Sequence, residues 1–585
     1  MLAASAMEIM RTIQTGFQYL ALMQFTAYLI PPQANVQSGA TYDYIIVGAG
    51  TSGSVIASQL TEDPHISVLL IEAGGDAPLE STMPAAVAFL KNSSYDWNYI
   101  AEPDLHSKQC HRRSSPEVIL GKMLGGTSSL DYMVYSRGHP TDYDNWAKIV
   151  KDPTWNWENV LPYFKKSVKV DDENFLKSAD SAKNYGSDGL IGLTIDNRDY
   201  VNNLLESCSE MGYDIVTDPE SSIGYSKMLV SIGEGERHGS GIMFLKPAKD
   251  RKNLHVLKNT FVTKINFDDK RNAIGVEALT EDGKTLILKA KNEVVVAAGA
   301  INSAKLLMLS GIGPKKDLES RKIKVISDLP VGQNLQDHVS VMIPIAMETI
   351  AEQPVDPHVY LAPPVIGYVA LDKSQKYPDY ETVSFYAHAR QLLYYCAYSY
   401  AFTYHICDDI YMLMHGQDEI GKMGLMTDIV HLNPKSRGEV KLKSLNPMEP
   451  PAIHVGYFSN EDDINDLVKY IQEFIPIVNT TFFRRIGAEL VETTSGSCYD
   501  FEAGSDDYWR CYTTCVYTGL NDYSGTCAMG SVVDSKLRVY GVQKLRVADA
   551  SIMPVITRGN TNAPVVMIGE KAADFIKEDY KTKYC

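Results

Sequence analysis

The sequence predicts an α/β fold with more than one folding unit, and three observations predict it. The chain is 585 residues long, well beyond the roughly 150 residues of an ordinary domain. An apolar strand, a glycine turn and a helix follow one another near its start. A second apolar strand comes next and ends in an acidic residue.

The first strand is "YIIV", residues 44 to 47, apolar enough to be buried on both faces. Gly48, Gly50 and Gly53 follow in G-x-G-x-x-G spacing, with Thr51 and Ser52 between the last two, and "SVIASQLTED" continues with helical periodicity. The first glycine permits a tight turn, the second lets the backbone approach a pyrophosphate, and the third lets helix and strand pack closely. The helix N-terminus adds free N–H groups for the anion. The second strand, "SVLLIEAGG", ends in Glu72, where a carboxylate accepts hydrogen bonds from an adenosine ribose and repels a 2′-phosphate. NADP is disfavoured, while NAD and FAD are not separated by these features.

After Glu72 the strand-helix alternation stops, and a loop-rich insertion follows that includes "GKMLGGTSSLDYMVYSRGHPTDYDNWA" at 121 to 147. Gly125 and Gly126 make a second close backbone approach. Thr127, Ser128 and Ser129 then offer small hydroxyl groups. Such a loop suits a flat ring or a second phosphate.

Composition narrows the partners. With 55 Lys+Arg against 72 Asp+Glu the formal charge is −17, so attraction to a phosphate backbone is missing and no nucleic-acid partner is expected. The nine cysteines contain no CxxC pair, which excludes a zinc cluster of that type, and no metal site is expected. Cys396 with Cys407, and Cys498 with Cys511 or Cys515, are candidate bridges in a secreted protein; scattered buried thiols are the alternative. The N-terminal stretch "GFQYLALMQFTAYLI", residues 16 to 30, is too short and Gln-interrupted to span a membrane but suits the apolar region of a signal peptide. Secretion is therefore expected, without stable membrane insertion, and the triplets at Asn92 and Asn479 are candidate glycosylation acceptors.

Five blocks together resemble the glucose-methanol-choline (GMC) family of FAD-dependent oxidoreductases. They are the fingerprint ending at Glu72, "GKMLGGTSSLDYMVYSRG", "VVVAAGAINSAKLLMLSGIGP", "LPVGQNLQDHV", and the run from "GTCAMGS" through "LRVADASIMPVITRGNTNAP". The likeness extends from about residue 42 to about residue 577, and the wording is most similar to insect members, which include glucose dehydrogenase-like proteins and ecdysone oxidase. The resemblance implies a Rossmann-type FAD-binding domain interleaved with a substrate domain built on an antiparallel sheet with helices. On that reading residues 1–40 are a signal peptide or extension. Residues 41–340 are mainly FAD-binding, with substrate-domain segments at about 150–250, residues 341–520 are mainly substrate-binding, and 521–585 return to the cofactor domain.

The resemblance also implies site residues. Val262 contacts the adenine, Gly125 to Ser129 run along flavin and pyrophosphate, Asp131 belongs to the same block, Asp549 and Ala550 close over the pyrophosphate, and Asn560 and Thr561 sit near the ring system. The loop "GGTSSLD" carries no His or Cys for covalent attachment, so dissociable FAD is expected. The Tyr-rich region from 350 to 420 offers either an aromatic wall for substrate or ordinary core packing.

Asp131, where many members have asparagine, is one of two departures from the family. At the other, the family's catalytic histidine lies three residues before the glycine of the "GTC" run, a place held here by Asp522, and none of the 13 histidines follows His454. A carboxylate of ordinary pKa is a weaker base than imidazole by about 3.5 kcal/mol unless burial raises it. Three readings stay open: Asp522 is the base, another group such as Tyr523 or a substrate-domain histidine serves, or the alcohol chemistry is lost. Asn560 occupies the family's second catalytic position, able to orient a hydroxyl but not to act as base. His139 and Cys527 read as structural. The expected function is oxidation of an alcohol to a carbonyl with hydride passing to FAD and onward to O2 or an organic acceptor, a steroid alcohol fitting the Tyr- and Met-rich wall. The alternatives are a flavin-containing lyase and a redox-inactive binding protein.

Overall fold

The structure is a computed structural model and describes residues 2–21, 29–107, 110–170, 172, 175–177, 183–195, 198, 201–218, 223–348, 365–415, 423–493, 498 and 500–584. Two large sheets organise it. The first takes strands from distant parts of the chain in the order Leu254–Leu257, Val68–Ile71, Thr41–Val47, Thr285–Val296, Ala273–Thr280 and Thr260–Phe267, with Leu545–Val547 also on Thr285–Val296. Its central pairs are parallel and its last two antiparallel. Parallel strands covered on both faces must be apolar throughout, and Ile45, Ile46, Val294, Val295 and Val296 are all fully buried.

The second sheet is antiparallel, in the order Glu489–Leu490, Val339–Met347, Met423–His431, Tyr380–His388, Val365–Val369 and Gly224–Lys227, with Tyr517–Gly519 also on Val339–Met347. The combination expected from the family resemblance, a Rossmann-type sheet beside an antiparallel one, is what the chain forms.

Close backbone approaches fix the cofactor side. A Cβ on Gly53 would lie 1.9 Å from the Gly48 carbonyl oxygen, so only glycine lets the Thr51–Leu60 helix sit this tightly on its strand. The C-terminal helix Asn562–Tyr584 packs on the other side of that helix, where a Cβ on Gly569 would stand 3.0 Å from the Ser52 carbonyl oxygen.

Residues Leu2–Ala21 form a helix that buries Ala3, Ala6, Met7 and Met10, and its Gln14 side chain donates to the carbonyls of Phe89 and Lys91 at 3.1 and 2.8 Å. Part of the stretch read as a signal peptide's apolar region, residues 22–28, lies outside the described residues, as do 349–364 and 416–422 of the Tyr-rich region. Among the described residues no helix is long and apolar enough to cross a membrane. Disulfides join Cys396 to Cys407 and Cys498 to Cys511, both among the candidate pairs. A third joins Cys110 to Cys515 across 405 positions, a separation no local spacing reveals, and it withdraws Cys515 as a partner for Cys498. Cys208 and Cys527 are free and buried.

Gly53→Ala is expected to destabilise the fold by about 2 kcal/mol or more, since the added methyl meets backbone rather than a yielding side chain. A lowered urea midpoint at unchanged slope checks this.

Candidate functional site

One continuous cavity runs between the two sheets, lined at one end by the glycine turns and at the other by the antiparallel sheet. At the first end Gly48 has φ +98°, and Gly126, at φ +54°, would bring a Cβ within 2.8 Å of the Gly50 Cα. The Gly125 N–H donates to the Ala49 carbonyl at 2.7 Å and locks the two turns face to face. Gly48, Gly50, Thr51 and Ser52 from one turn, and Gly126, Thr127 and Ser128 from the other, line the cavity. Gly53 and Gly125 stand behind it, where each allows a backbone contact rather than touching the open space.

Glu72 closes this end. Its Oε2 accepts from Ala49 N and its Oε1 from Gly74 N, both at 2.9 Å. A carboxylate has four lone-pair sites, so capacity remains for two ligand hydroxyls. Burial pushes its pKa up to about 7, against the two backbone N–H bonds that favour the charged form. Val262 lines the same region. Asp549 and Ala550 line it from the opposite side, and Asp549 Oδ2 accepts from Gly299 N at 2.9 Å and Ser303 Oγ at 2.5 Å, pinning the start of the Gly299–Leu309 helix. A groove with bare backbone on both sides and a carboxylate at its end fits an adenine dinucleotide such as FAD.

Asp522 lies further along the cavity, next to Asn560 and Thr561 in its lining, and is 7% exposed. Its Oδ1 accepts from the Thr561 backbone N–H at 2.9 Å and hydroxyl at 2.8 Å; its Oδ2 lies 3.0 Å from His338 Nδ1. Its own N–H donates to Asp337 Oδ1 at 2.7 Å. His338 is fully buried and does not line the cavity, so it meets a ligand only through Asp522. Burial works to lower the pKa of His338, yet the hydrogen bond and charge of Asp522, with the charge of Asp337, raise it above the ordinary value. Asp337 itself is pushed up to about 7, first by burial and then by the charge of Asp522. It also accepts a hydrogen bond from the Tyr457 hydroxyl.

His338 sits inside a sequence block that invited attention, but nothing local marks it as the partner of a residue 184 positions away. Tyr523 lines the cavity, and burial first, then the charge of Asp337, holds its pKa well above the ordinary value, so at neutral pH it is a donor and not a base. Asp131 also lines the cavity; it pairs with the buried Arg237 at 2.7 Å and accepts from Met133 N at 3.0 Å. Its pKa is raised by burial, which Arg237 opposes. His139 caps the Pro140–Val150 helix and Cys527 is packed in the core, structural places for both.

The far wall belongs to the antiparallel sheet. Alternate residues of Tyr380–His388, namely Glu381, Val383 and Phe385, face the cavity beside Asp428 and Val430 of Met423–His431. Tyr395 and Tyr400 add an aromatic edge, so that side of the Tyr-rich region is a cavity wall, while Tyr398 is buried in the core. Glu381 and Asp428 were not expected from the sequence.

The GMC oxidoreductase family model matches the chain at residues 42–340 and, with its C-terminal part, at 434–569. The chain is 40% identical over 577 residues to the ecdysone oxidase of Spodoptera littoralis, spanning 94% of each chain. It is 34% identical to the glucose dehydrogenase (FAD, quinone) of Drosophila melanogaster, over 93% of this chain and 88% of that one. A solved structure of formate oxidase from Aspergillus oryzae superposes with a TM-score of 0.79 over 94% of this chain and 100% of the other, at 27% identity.

A dinucleotide held through its ribose by Glu72 selects the ionised carboxylate. That form is depleted as pH falls through about 7, so FAD affinity should fall below that point by up to about tenfold per pH unit and level off above it. Equilibrium titration of apoprotein with FAD across pH checks this, and Glu72→Gln should weaken binding and flatten the profile.

Proposed function

The chain belongs to the GMC oxidoreductase family and is an FAD-dependent oxidoreductase of CH–OH donors; we propose that its substrate is an extended, largely apolar alcohol of the ecdysteroid type and that Asp522 accepts the hydroxyl proton. The observation that carries this reading is the single cavity joining the glycine-turn groove to an aromatic and aliphatic wall, with Asp522 and Asn560 between them.

Bound FAD supplies the hydride acceptor. The chain's own residues manage the rest. Asn560 orients the substrate hydroxyl, since an amide both donates and accepts. Asp522 is fixed by Thr561 and His338 and keeps one lone pair, on Oδ2, for the departing proton. With FAD bound, the hydroxyl proton would pass to Asp522 as the hydride leaves the carbinol carbon, so that the alcohol would become the carbonyl.

A bare carboxylate here would oppose negative charge building up on a reduced ring. His338 answers that objection. Its raised pKa favours a compensating positive charge 3.0 Å behind the carboxylate. An aspartate backed by an imidazolium therefore places a charge-balanced pair where the family carries one histidine.

The similarity to ecdysone oxidase supports the substrate class, and the Tyr395, Tyr400 and Phe385 wall supports an extended apolar ligand over a small sugar. We further propose maturation in the secretory pathway. Three disulfides and the exposure of both Asn92 and Asn479 support it.

Anaerobic mixing of the FAD-loaded protein with ecdysone is expected to bleach the flavin band, and air is then expected to restore it if O2 is the acceptor. No bleaching by ecdysone or by graded apolar alcohols would overturn the substrate reading. Asp522→Asn should slow bleaching by about 10²–10⁴-fold with FAD content unchanged. An undiminished rate would remove Asp522 as base.

A further inference from the structure

Two carboxylates stand on the otherwise apolar sheet wall of the cavity. In the register of the two strands Val383 lies opposite Asp428 and Glu381 opposite Val430, so the acids are diagonal neighbours about 7–8 Å apart. Between and beside them are Val383, Phe385 and Val430. Glu381 is 1% exposed. Asp428 Oδ2 accepts from the Tyr400 hydroxyl at 2.7 Å and its Oδ1 from Ser340 Oγ at 3.2 Å. Burial pushes its pKa up to about 6, and the bonds from Tyr400 and Ser340 oppose the rise. Taking such groups from water is costly unless donors meet them.

Their distance from the reacting end is set by the sheet. Tyr517–Gly519, which leads into Asp522, pairs with Val339–Met347, which pairs with Met423–His431, which pairs with Tyr380–His388. At about 4.8 Å per strand the two acids stand roughly 10 and 14 Å across the sheet from that leading strand. Both acids therefore belong to the far wall, beyond the strand that leads into Asp522.

We propose that Asp428 and Glu381 are specificity-determining residues that accept hydrogen bonds from substrate hydroxyls remote from the CH–OH being oxidised, so that the preferred substrate is a polyhydroxylated apolar alcohol. This rests on the function proposed above and deepens it. Tyr400 holds Asp428 with its remaining lone pairs open to the cavity. A singly hydroxylated ligand of the same skeleton brings no donor to either acid. A site built to accept hydrogen bonds penalises a ligand that lacks the donors far more than one that lacks a methylene.

The test compares FAD-loaded wild type, Asp428→Asn and Glu381→Gln on ecdysone and on an analogue with the same ring skeleton and oxidisable hydroxyl but without the others. The ratio of kcat/KM for ecdysone over the analogue is expected to exceed 10 in wild type and to fall about 10–100-fold in each variant, mainly through KM. Equal losses on both substrates, at unchanged ratio, would show a structural role and overturn the proposal. So would a selective loss on cationic alcohols, which would assign the acids to an ammonium group. Equilibrium binding of ecdysone to the same proteins gives a readout independent of turnover. Bleaching without a change of ratio defeats this inference alone, whereas tight carboxylate-dependent binding without bleaching supports it and defeats the proposed oxidation.

Discussion

The hydrogen bond between His338 and Asp522 is the contact on which the site depends, because it ties together pieces that the chain holds far apart. His338 immediately precedes the strand Val339–Met347, which lies one strand in from the edge of the antiparallel sheet. Asp522 follows the short strand Tyr517–Gly519, and its other oxygen grips Thr561 at the head of the helix that packs against the glycine-turn helix. One buried carboxylate therefore fixes the substrate wall relative to the cofactor groove. A buried charge survives only with such partners, and removing one leaves the other exposed to the full desolvation cost.

On the proposed reading, the same contact lets an aspartate serve at this position, because the raised pKa of His338 favours a positive charge directly behind it. Asp337 and Tyr457 extend the arrangement, since Asp337 accepts both the Asp522 amide and the Tyr457 hydroxyl. With His338 raised above its ordinary pKa and Asp337 pushed up to about 7, the cluster keeps a proton inventory close to neutral pH. In front of it lies the cavity, whose two remote carboxylates mark the far wall.

Much of the cofactor end was legible because its constraints are local. A glycine at φ +98°, a glycine whose Cβ would strike a carbonyl and an acid at the end of the next strand all fall within a stretch of about thirty residues with a fixed geometry. Cys396 and Cys407 were readable for the same reason, being 11 positions apart. The partner of Asp522 was not, because contacts between distant segments leave no periodic trace. Cys110 with Cys515 failed to show for that reason too. The cavity acids were hidden differently: Glu381 and Asp428 occupy strands that are buried on both faces, so no alternation of exposed and buried residues marks the facing set, which is recognised only once the sheet is assembled.

A double-mutant cycle on flavin reduction tests the central claim most directly. Asp522→Asn, His338→Gln and the combined variant are each loaded with FAD, and the rate of anaerobic bleaching by alcohol is measured in single turnover. If the two residues act as one proton-accepting unit, the losses are strongly non-additive and the double variant is little slower than Asp522→Asn alone. Independent, multiplying losses, or a His338→Gln protein as fast as wild type, would contradict the account.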